Sequence, residues 1–160
     1  MSEIEFLQLL TSNQGIIGKV CSIYYNQRED YEDLFQEITY QAWKGFTSFR
    51  GDAKFSTWLY RIALNTAISS FRKRKPTIEF VAVLPDNNFH HPNEKNKQQQ
   101  QLLWGIQQLN EGERAIIALY LEEMSYQEIA EIIGISENNV GVKINRIKNK
   151  LHQILSHGNR

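Results

Sequence analysis

The placement of the prolines constrains this fold more than any other feature of the sequence. All three lie close together, at Pro76, Pro85 and Pro92. Proline breaks the interior of a helix, and the chain on both sides of this stretch carries apolar residues at helical spacing. The sequence therefore predicts an all-α protein with two small helical domains, residues 1–75 and 98–160. A flexible linker over residues 76–97 is expected to join them, with one short extended segment near residues 79–84.

The clearest helical pattern in the first domain runs from Tyr31 to Phe46. Its apolar residues share one helical face: Tyr31, Leu34, Phe35, Ile38, Ala42 and Phe46. The opposite face is mostly polar and carries Asp33, Gln36, Glu37, Tyr40 and Lys44. A further helix is predicted from about Phe55 to Lys73. The polar face has no role in a core, so we expect it to remain exposed.

Charge is balanced overall but segregated along the chain. The formal net charge is zero, which taken alone argues against nucleic-acid binding. However, residues 61–75 and residues 143–160 contain lysines and arginines and no acidic residue, whereas the acids gather at 29–37 and 111–137. Two local basic patches can bind DNA even in a neutral chain. The acidic stretches indicate a second, different partner.

The strongest functional pattern lies between Ser125 and Leu151. Ser125 and Glu128 have capping-box spacing, Gly134 is suited to end the short helix that follows, and Ser136 can cap the next helix. The longer helix carries Val140, Ile144, Ile147 and Leu151 on one face, and Asn139, Lys143, Arg146 and Lys150 on another. This pattern predicts a helix-turn-helix whose second helix enters the major groove of DNA. The alternative is a plain helical hairpin with a solvated basic surface.

A second pattern lies between Phe49 and Lys75. A polar loop precedes a helix rich in aromatic residues, which ends in a cluster of cations. Aromatic faces beside cations are suited to single-stranded nucleic acid, because bases stack and phosphates are neutralised. The alternative is that Phe55, Trp58 and Tyr60 belong to the core and that the cations only complement the dipole at the helix C-terminus.

Other classes of protein find little support. Cys21 is the only cysteine, so no internal disulfide is possible, and the acidic N-terminus lacks the basic start of a secretory signal. No apolar run is long enough to cross a membrane, so we expect a cytoplasmic protein. His90 and His91 are adjacent, but no Cys/His spacing fits a zinc site. We therefore expect no enzymatic activity and no cofactor.

Several segments together resemble the extracytoplasmic-function (ECF) sigma factors, which belong to the sigma-70 family of RNA polymerase subunits. Residues 33–37 (DLFQE), 49–52 (FRGD) and 55–65 (FSTWLYRIALN) are similar to conserved region two. Residues 109–114 (LNEGER), 125–130 (SYQEIA) and 139–151 (NVGVKINRIKNKL) are similar to region four. The resemblance covers nearly the whole chain, and both sets of motifs occur in the expected order.

The resemblance implies a role for each matching residue. It implies that Asp33, Gln36 and Glu37 bind core RNA polymerase. It implies that the start-proximal (−10) promoter element is bound by Phe49, Arg50, Lys54, Asn65, Arg72, Lys73 and Arg74. It implies that the upstream (−35) element is read by Asn138, Asn139, Lys143, Arg146 and Lys150. An anti-sigma factor is a further partner with which this family often works.

The chain departs from the family pattern at two positions. Gly141 stands where the family usually has lysine, and Ser69 stands where it often has aspartate, so the promoter bases cannot be read from the sequence. A stand-alone helix-turn-helix regulator is the alternative function. It accounts for residues 109–151 but leaves the first domain without a task.

Overall fold

The structure is a computed structural model that describes residues 2–78 and 97–158, with side chains for 2–74 and 97–157. Those residues are helical, without a β-strand, as the all-α prediction requires. The chain divides into two compact units, Met1–Asn93 and Glu94–Arg160. The greater part of the predicted linker, residues 79–96, lies outside the described residues, as do the predicted extended segment and the histidine pair.

Within residues 2–78, the first unit has four α-helices. They are α1 (Glu3–Ser12), α2 (Gln14–Tyr24), α3 (Arg28–Gly45) and α4 (Phe55–Ile78), with a short 3-10 turn at Phe46–Ser48. Helices α2, α3 and α4 pack against one another. The predicted α3 stripe is confirmed at Tyr31, Leu34, Ile38 and Ala42, which are buried. On α1 only Phe6 is buried, so most of its apolar residues remain at the surface.

Helix α4 runs farther than the sequence predicts. It continues past Pro76 to Ile78, five residues beyond the expected end at Lys73. Proline removes one backbone donor and crowds the carbonyl of the preceding turn, although its fixed φ near −65° is compatible with helix, and only two helical residues follow Pro76. At the other end of the predicted linker, α5 begins at Lys97.

The described part of the second unit, residues 97–158, also has four helices. They are α5 (Lys97–Ile106), α6 (Glu111–Leu121), α7 (Tyr126–Ile133) and α8 (Glu137–Gly158). The capping box predicted for Ser125 with Glu128 is confirmed, and Asn110 with Glu113 forms a second one at the start of α6. Each box satisfies two backbone donors that the first turn of a helix leaves unpaired. The starts of α6 and α7 are therefore fixed by local interactions.

Close packing around α8 holds this unit together. Val140, Ile144, Ile147 and Leu151 are buried, which confirms the predicted apolar face. On α5, a Cβ built on Gly105 would lie 2.9 Å from Leu155 Cδ2, so a larger residue there would require the leucine side chain to shift. The azimuth of α8 is fixed by these contacts, and so is the set of side chains that it presents to solvent.

Arg114 has a role in the fold that the sequence did not reveal. Its side chain is buried and donates hydrogen bonds to the carbonyl oxygens of Leu109 and Gln107. Those carbonyls lie in the turn between α5 and α6. A buried cation that caps two carbonyls stabilises the turn and cannot also contact DNA.

Candidate nucleic-acid interface

Helices α7 and α8 form a helix-turn-helix whose turn is defined by two residues. Gly134 has a φ of 86°, in the left-handed region, and ends α7. Ser136 then accepts a hydrogen bond from the backbone N–H of Asn139 through its Oγ, at 3.2 Å, which caps the start of α8. The predicted stop and cap are both confirmed. They reverse the course of the chain between the two helices, and the outer face of the first turns of α8 is exposed.

That exposed face carries most of the residues predicted to read DNA. Asn138, Asn139, Lys143 and Arg146 are all exposed. Lys143 and Arg146 make no hydrogen bond or ion pair with any other described residue, so their charges are available to a partner. At about 100° per residue, Asn139, Lys143 and Arg146 fall within an arc of about 60°. A helix with this face can place cations and amides together in a major groove.

Lys150 differs from the other predicted contacts because it already has a partner. Its Nζ lies 3.0 Å from Glu113 Oε1, in an ion pair that links α8 to the start of α6. Glu113 is also the acidic member of the α6 capping box. The pair is partly exposed, so a phosphate could compete for the lysine. Unlike Lys143, Lys150 therefore also contributes an ion pair within the folded unit.

The opposite flank of α8 holds residues that the sequence analysis did not single out. Lys148 Nζ donates a hydrogen bond to Tyr120 Oη at 2.6 Å and lies 4.3 Å from the centre of the same ring. That hydrogen bond raises the pKa of the lysine above its ordinary value. Nothing in the residue spacing pairs Tyr120 with Lys148, because they are brought together only by the packing of α6 against α8.

Gly141 has a local explanation in the ring of Tyr126. A Cβ added at Gly141 would lie 3.4 Å from Tyr126 Cε2, at the close limit of ordinary van der Waals contact. The ring of Tyr126, from the first turn of α7, thus lies directly against the backbone of α8. The glycine costs about 1 kcal/mol of helix propensity but leaves room for this contact.

In the first unit, an aromatic cluster supports the loop that precedes α4. Phe49 stacks on Phe46 at 5.9 Å between ring centres, and its ring also lies 5.2 Å from Trp58. Phe46 and Phe55 are buried, so the interpretation of Phe55 as a core residue is the correct one. Phe49 and Trp58 are half-buried, and Arg50 and Lys54 of the loop are exposed. The loop therefore presents cations beside the accessible edge of an aromatic cluster.

Farther along α4, a polar groove of about 590 Å³ lies between α3 and α4. Its lining includes Asn65 and Lys73 from the predicted start-proximal site together with Glu37 from the predicted polymerase site. Asn65 and Lys73 are exposed, and neither makes a hydrogen bond or ion pair with another described residue. The structure thus places the two predicted sites along the same groove.

Arg74 connects those two sites directly. Its guanidinium pairs with Asp30 through a very short contact, lies 3.7 Å from Asp33 Oδ2, and stands 5.4 Å from the centre of the Tyr25 ring. Although burial acts against it, hydrogen bonding and charge attraction from Asp30 leave the pKa of Arg74 raised. Arg72 also has a partner within the chain. The three predicted phosphate contacts of this cluster therefore differ, since only Lys73 is unpaired among the described residues.

The predicted polymerase-binding residues lie on the exposed side of α3. Asp33, Gln36 and Glu37 are all exposed, as the helical pattern predicts. Beside them an apolar groove of about 500 Å³ runs between α1 and α3. Two large side chains of this groove, Tyr40 and Trp43, are 56% and 45% exposed. Their spacing from Gln36 along α3 is the signal that could have added them to the predicted surface.

Catalytic and metal sites find no support in the described parts of the chain. Residues 2–78 and 97–158 contain no group of three histidine, cysteine or acidic side chains that could hold a metal ion. Burial raises the pKa of the Cys21 thiol to about 12, so this cysteine is neutral and inert at ordinary pH. In the same residues no helix has the length and apolar character needed to cross a bilayer.

Comparison with known proteins identifies the class. The family model for sigma-70 region 2 matches residues 9–77, and that for sigma-70 region 4 matches residues 99–151. The chain belongs to the ECF sigma factors of the sigma-70 family. It is 32% identical to the ECF RNA polymerase sigma factor SigW of Bacillus subtilis, over 94% of this chain and 88% of that protein. It is 33% identical to the ECF RNA polymerase sigma-E factor of Escherichia coli K12, over 86% of this chain and 83% of the relative.

Solved structures agree with this assignment at the level of the fold. The sigma factor RpoE of Bartonella quintana, solved in complex with the anti-sigma factor NepR, matches with a TM-score of 0.71 and 22% identity, over 96% of each chain. CnrH, solved in complex with the cytosolic domain of CnrY, matches with a TM-score of 0.69 and 22% identity, over 98% of this chain and 90% of that one.

Proposed function

We propose that this chain binds core RNA polymerase and directs it to specific promoters. One observation carries the proposal: regions 2 and 4 of the sigma-70 family occur in order in a single chain. A stand-alone regulator would need only the second of them. The chain then acts by binding, without an enzymatic activity or a cofactor of its own, and works in the cytoplasm where the polymerase meets the chromosome.

In this proposal, the upstream promoter element is read by α8. Asn138, Asn139 and Lys143 lie in its first two turns, the part that helix-turn-helix proteins insert into the major groove. Arg146 follows one turn later, and Lys150 contacts a phosphate when it leaves Glu113. The buried Val140 and Ile144 support this assignment, because they hold the polar face outward.

The start-proximal element, which the polymerase opens into single strands, is bound by the first unit. Phe49 offers an aromatic edge, while Arg50 and Lys54 supply charge on the same loop. Asn65 lies on α4 in the polar groove, followed by Arg72, Lys73 and Arg74 toward its C-terminal end. Stacking combined with phosphate neutralisation is the usual way to bind single strands.

Core polymerase binds the exposed side of α3. Asp33, Gln36 and Glu37 have no role in the core, and their charge is opposite to that of both proposed DNA surfaces. The neighbouring Tyr40 and Trp43 add exposed apolar area. An acidic rim beside exposed aromatic residues is suited to a protein surface of positive charge. An anti-sigma factor remains a predicted second partner.

Reconstitution with core polymerase tests the function. The RNAs made by polymerase that carries this chain should begin at a defined set of promoters, and a gel shift with those promoters should require polymerase. Tight, specific binding by the chain alone would instead support the stand-alone regulator. Failure of polymerase to start at any promoter would contradict the proposal.

A matched pair of charge reversals tests the polymerase surface. Glu37→Lys should reduce the affinity for core polymerase by about tenfold or more, because it places like charges together at the interface. Glu32→Lys makes the same change on the same helix, also at an exposed position, but on a different face. Both should leave stability within about 0.5 kcal/mol. Equal assembly of the two variants would overturn the assignment.

A further inference from the structure

The outer face of α8 contains one exposed apolar side chain. Val142 is 47% exposed, whereas Val140, Ile144 and Ile147 of the same helix are buried. It lies in the second turn, within the part of the helix proposed to enter the major groove. In this position a β-branched apolar residue gains nothing from burial within the fold and slightly lowers helix propensity.

The geometry of the helix rules out a role for Val142 in the core. At about 100° per residue it projects about 140–160° away from Val140, Ile144 and Ile147. The side chains one turn before and after it, Asn138 and Arg146, are exposed and polar. Gly141, the preceding residue, has no side chain that could cover it. Val142 is thus an isolated apolar group surrounded by groups able to form hydrogen bonds.

The major groove offers one apolar partner for such a group. Every base edge there presents hydrogen-bond donors or acceptors, and thymine alone adds a methyl group. We propose that Val142 packs against the 5-methyl group of a thymine in the upstream promoter element and makes that thymine a determinant of promoter choice. This inference rests on the proposed function, since it requires α8 to lie in the major groove.

The experiment removes only the methyl group from DNA. An upstream element is first selected from a random library by polymerase that carries the chain. Each thymine on either strand is then replaced in turn by deoxyuridine, which leaves every hydrogen bond of the base pair unchanged. Wild-type holoenzyme should lose affinity about three- to fivefold at one position, as expected for burial of about one methyl group. At that position the Val142→Ala holoenzyme should bind the thymine and the deoxyuridine versions of the element with equal affinity.

Two further variants keep the result interpretable. Val142→Thr preserves the shape but exchanges one methyl for a hydroxyl, so its methyl effect should fall between those of wild type and Val142→Ala. Lys143→Ala should change the affinity for the upstream element, but removal of the thymine methyl group should lower that affinity by the same factor as in wild type. Because Val142 is exposed, all of these variants should keep wild-type thermal stability.

The outcomes separate the two levels of the proposal. The role of Val142 alone is overturned if the holoenzyme depends on the upstream element but no removal of a thymine methyl group changes its affinity. It is also overturned if removal of the methyl group has the same effect in wild type and in Val142→Ala. A selected element with no preferred thymine does the same. A holoenzyme that is indifferent to the whole upstream element contradicts the proposed function, and the role of Val142 with it.

Discussion

Each helical unit pairs some of its cations within the fold and leaves others without a partner among the described residues. In the first unit Arg74 is paired with Asp30 and Asp33, on the same helix that carries the proposed polymerase surface. In the second unit Lys143 and Arg146 extend from α8 without a partner among the described residues. A run of basic residues in a sequence is therefore not a set of equally available charges. Which of them can bind DNA is decided by the helix packed beside them.

The units also bury different ionisable groups. The first buries Cys21 and Tyr31, which are neutral at ordinary pH. The second buries Arg114, whose charge is satisfied by two carbonyl oxygens. Burial favours the neutral form of an acid and tolerates a cation only with full hydrogen bonding. The two units should therefore respond differently to alkali, which provides the largest of the effects expected below.

Alkaline pH should destabilise the first unit. Burial raises the pKa of both Cys21 and Tyr31 to about 12, from 9.0 and 10.0, and for Tyr31 the nearby Cys21 adds to the shift. Both groups stay neutral in the folded state, whereas they ionise in the unfolded chain. The free energy of unfolding therefore has its full value below about pH 9 and falls as the pH rises toward 12. With about 1.4 kcal/mol per pH unit for each group, the loss should reach about 3–4 kcal/mol near pH 11.

The measurement is urea unfolding at a series of pH values in a Trp104→Phe background, where Trp43 and Trp58 of the first unit supply the fluorescence. Cys21→Ala should reduce the dependence on pH between 9 and 10, the range in which only the thiol contributes strongly. A slope that is identical with and without the thiol would show that Cys21 is not the titrating group.

Lys143, which has no partner among the described residues, and Lys150, which pairs with Glu113, should differ in their effect on promoter choice. Lys143→Ala should cost about 1–3 kcal/mol of discrimination between upstream elements, because its side chain is near the start of the helix and has no other described partner. Lys150→Ala should weaken binding to all sequences alike and reduce the salt dependence by about one charge.

Transcription from a promoter library, repeated across salt concentrations, measures both effects. Glu113→Gln is the control for Lys150, because it removes the ion-pair partner while keeping an amide for the capping box. Unchanged promoter preference in Lys143→Ala, with lower output from every promoter, would make that residue a phosphate contact and leave base reading to Asn138 and Asn139.

The smallest effect concerns the pair between Asp30 and Arg74. Asp30→Asn should weaken the hold on the guanidinium and increase affinity of the free chain for a short single-stranded DNA about two- to fivefold, since partly exposed pairs contribute at most about 1 kcal/mol. Fluorescence anisotropy with labelled DNA measures it. The gain should disappear in the double variant Asp30→Asn with Arg74→Gln, and a gain that persists there would mean that Arg74 is not the contact.

Several parts of the fold could be predicted from sequence because their causes are local. The capping boxes at Asn110 and Ser125 and the left-handed Gly134 depend on residues within one turn of each other. The apolar faces of α3 and α8 follow from helical periodicity, and so does the exposure of Asn139 and Lys143 on another face of α8. Local rules also failed in one place, at Pro76, where α4 continues through the last turn that the proline was expected to prevent.

Other properties depend on residues far apart in the chain. The pairing of Arg74 with Asp30 joins residues on two helices, and so do the hydrogen bond from Lys148 to Tyr120 and the contact of Tyr126 with Gly141. No spacing within the sequence predicts them, because they require the relative rotation of packed helices. That rotation is set by how buried side chains fit together, as at Gly105 and Leu155.

The sequence by itself thus determined the helices of this protein, their caps, the family to which it belongs and the side chains that each helix turns outward. Only the tertiary structure decided which outward cations are engaged within the fold and which are available to DNA. The physical reason is the distance along the chain over which each interaction acts. Hydrogen bonds within a helical turn and hydrophobic periodicity act between neighbours in the chain. Ion pairs and ring contacts between helices exist only after packing has fixed the distance and the azimuth of each helix.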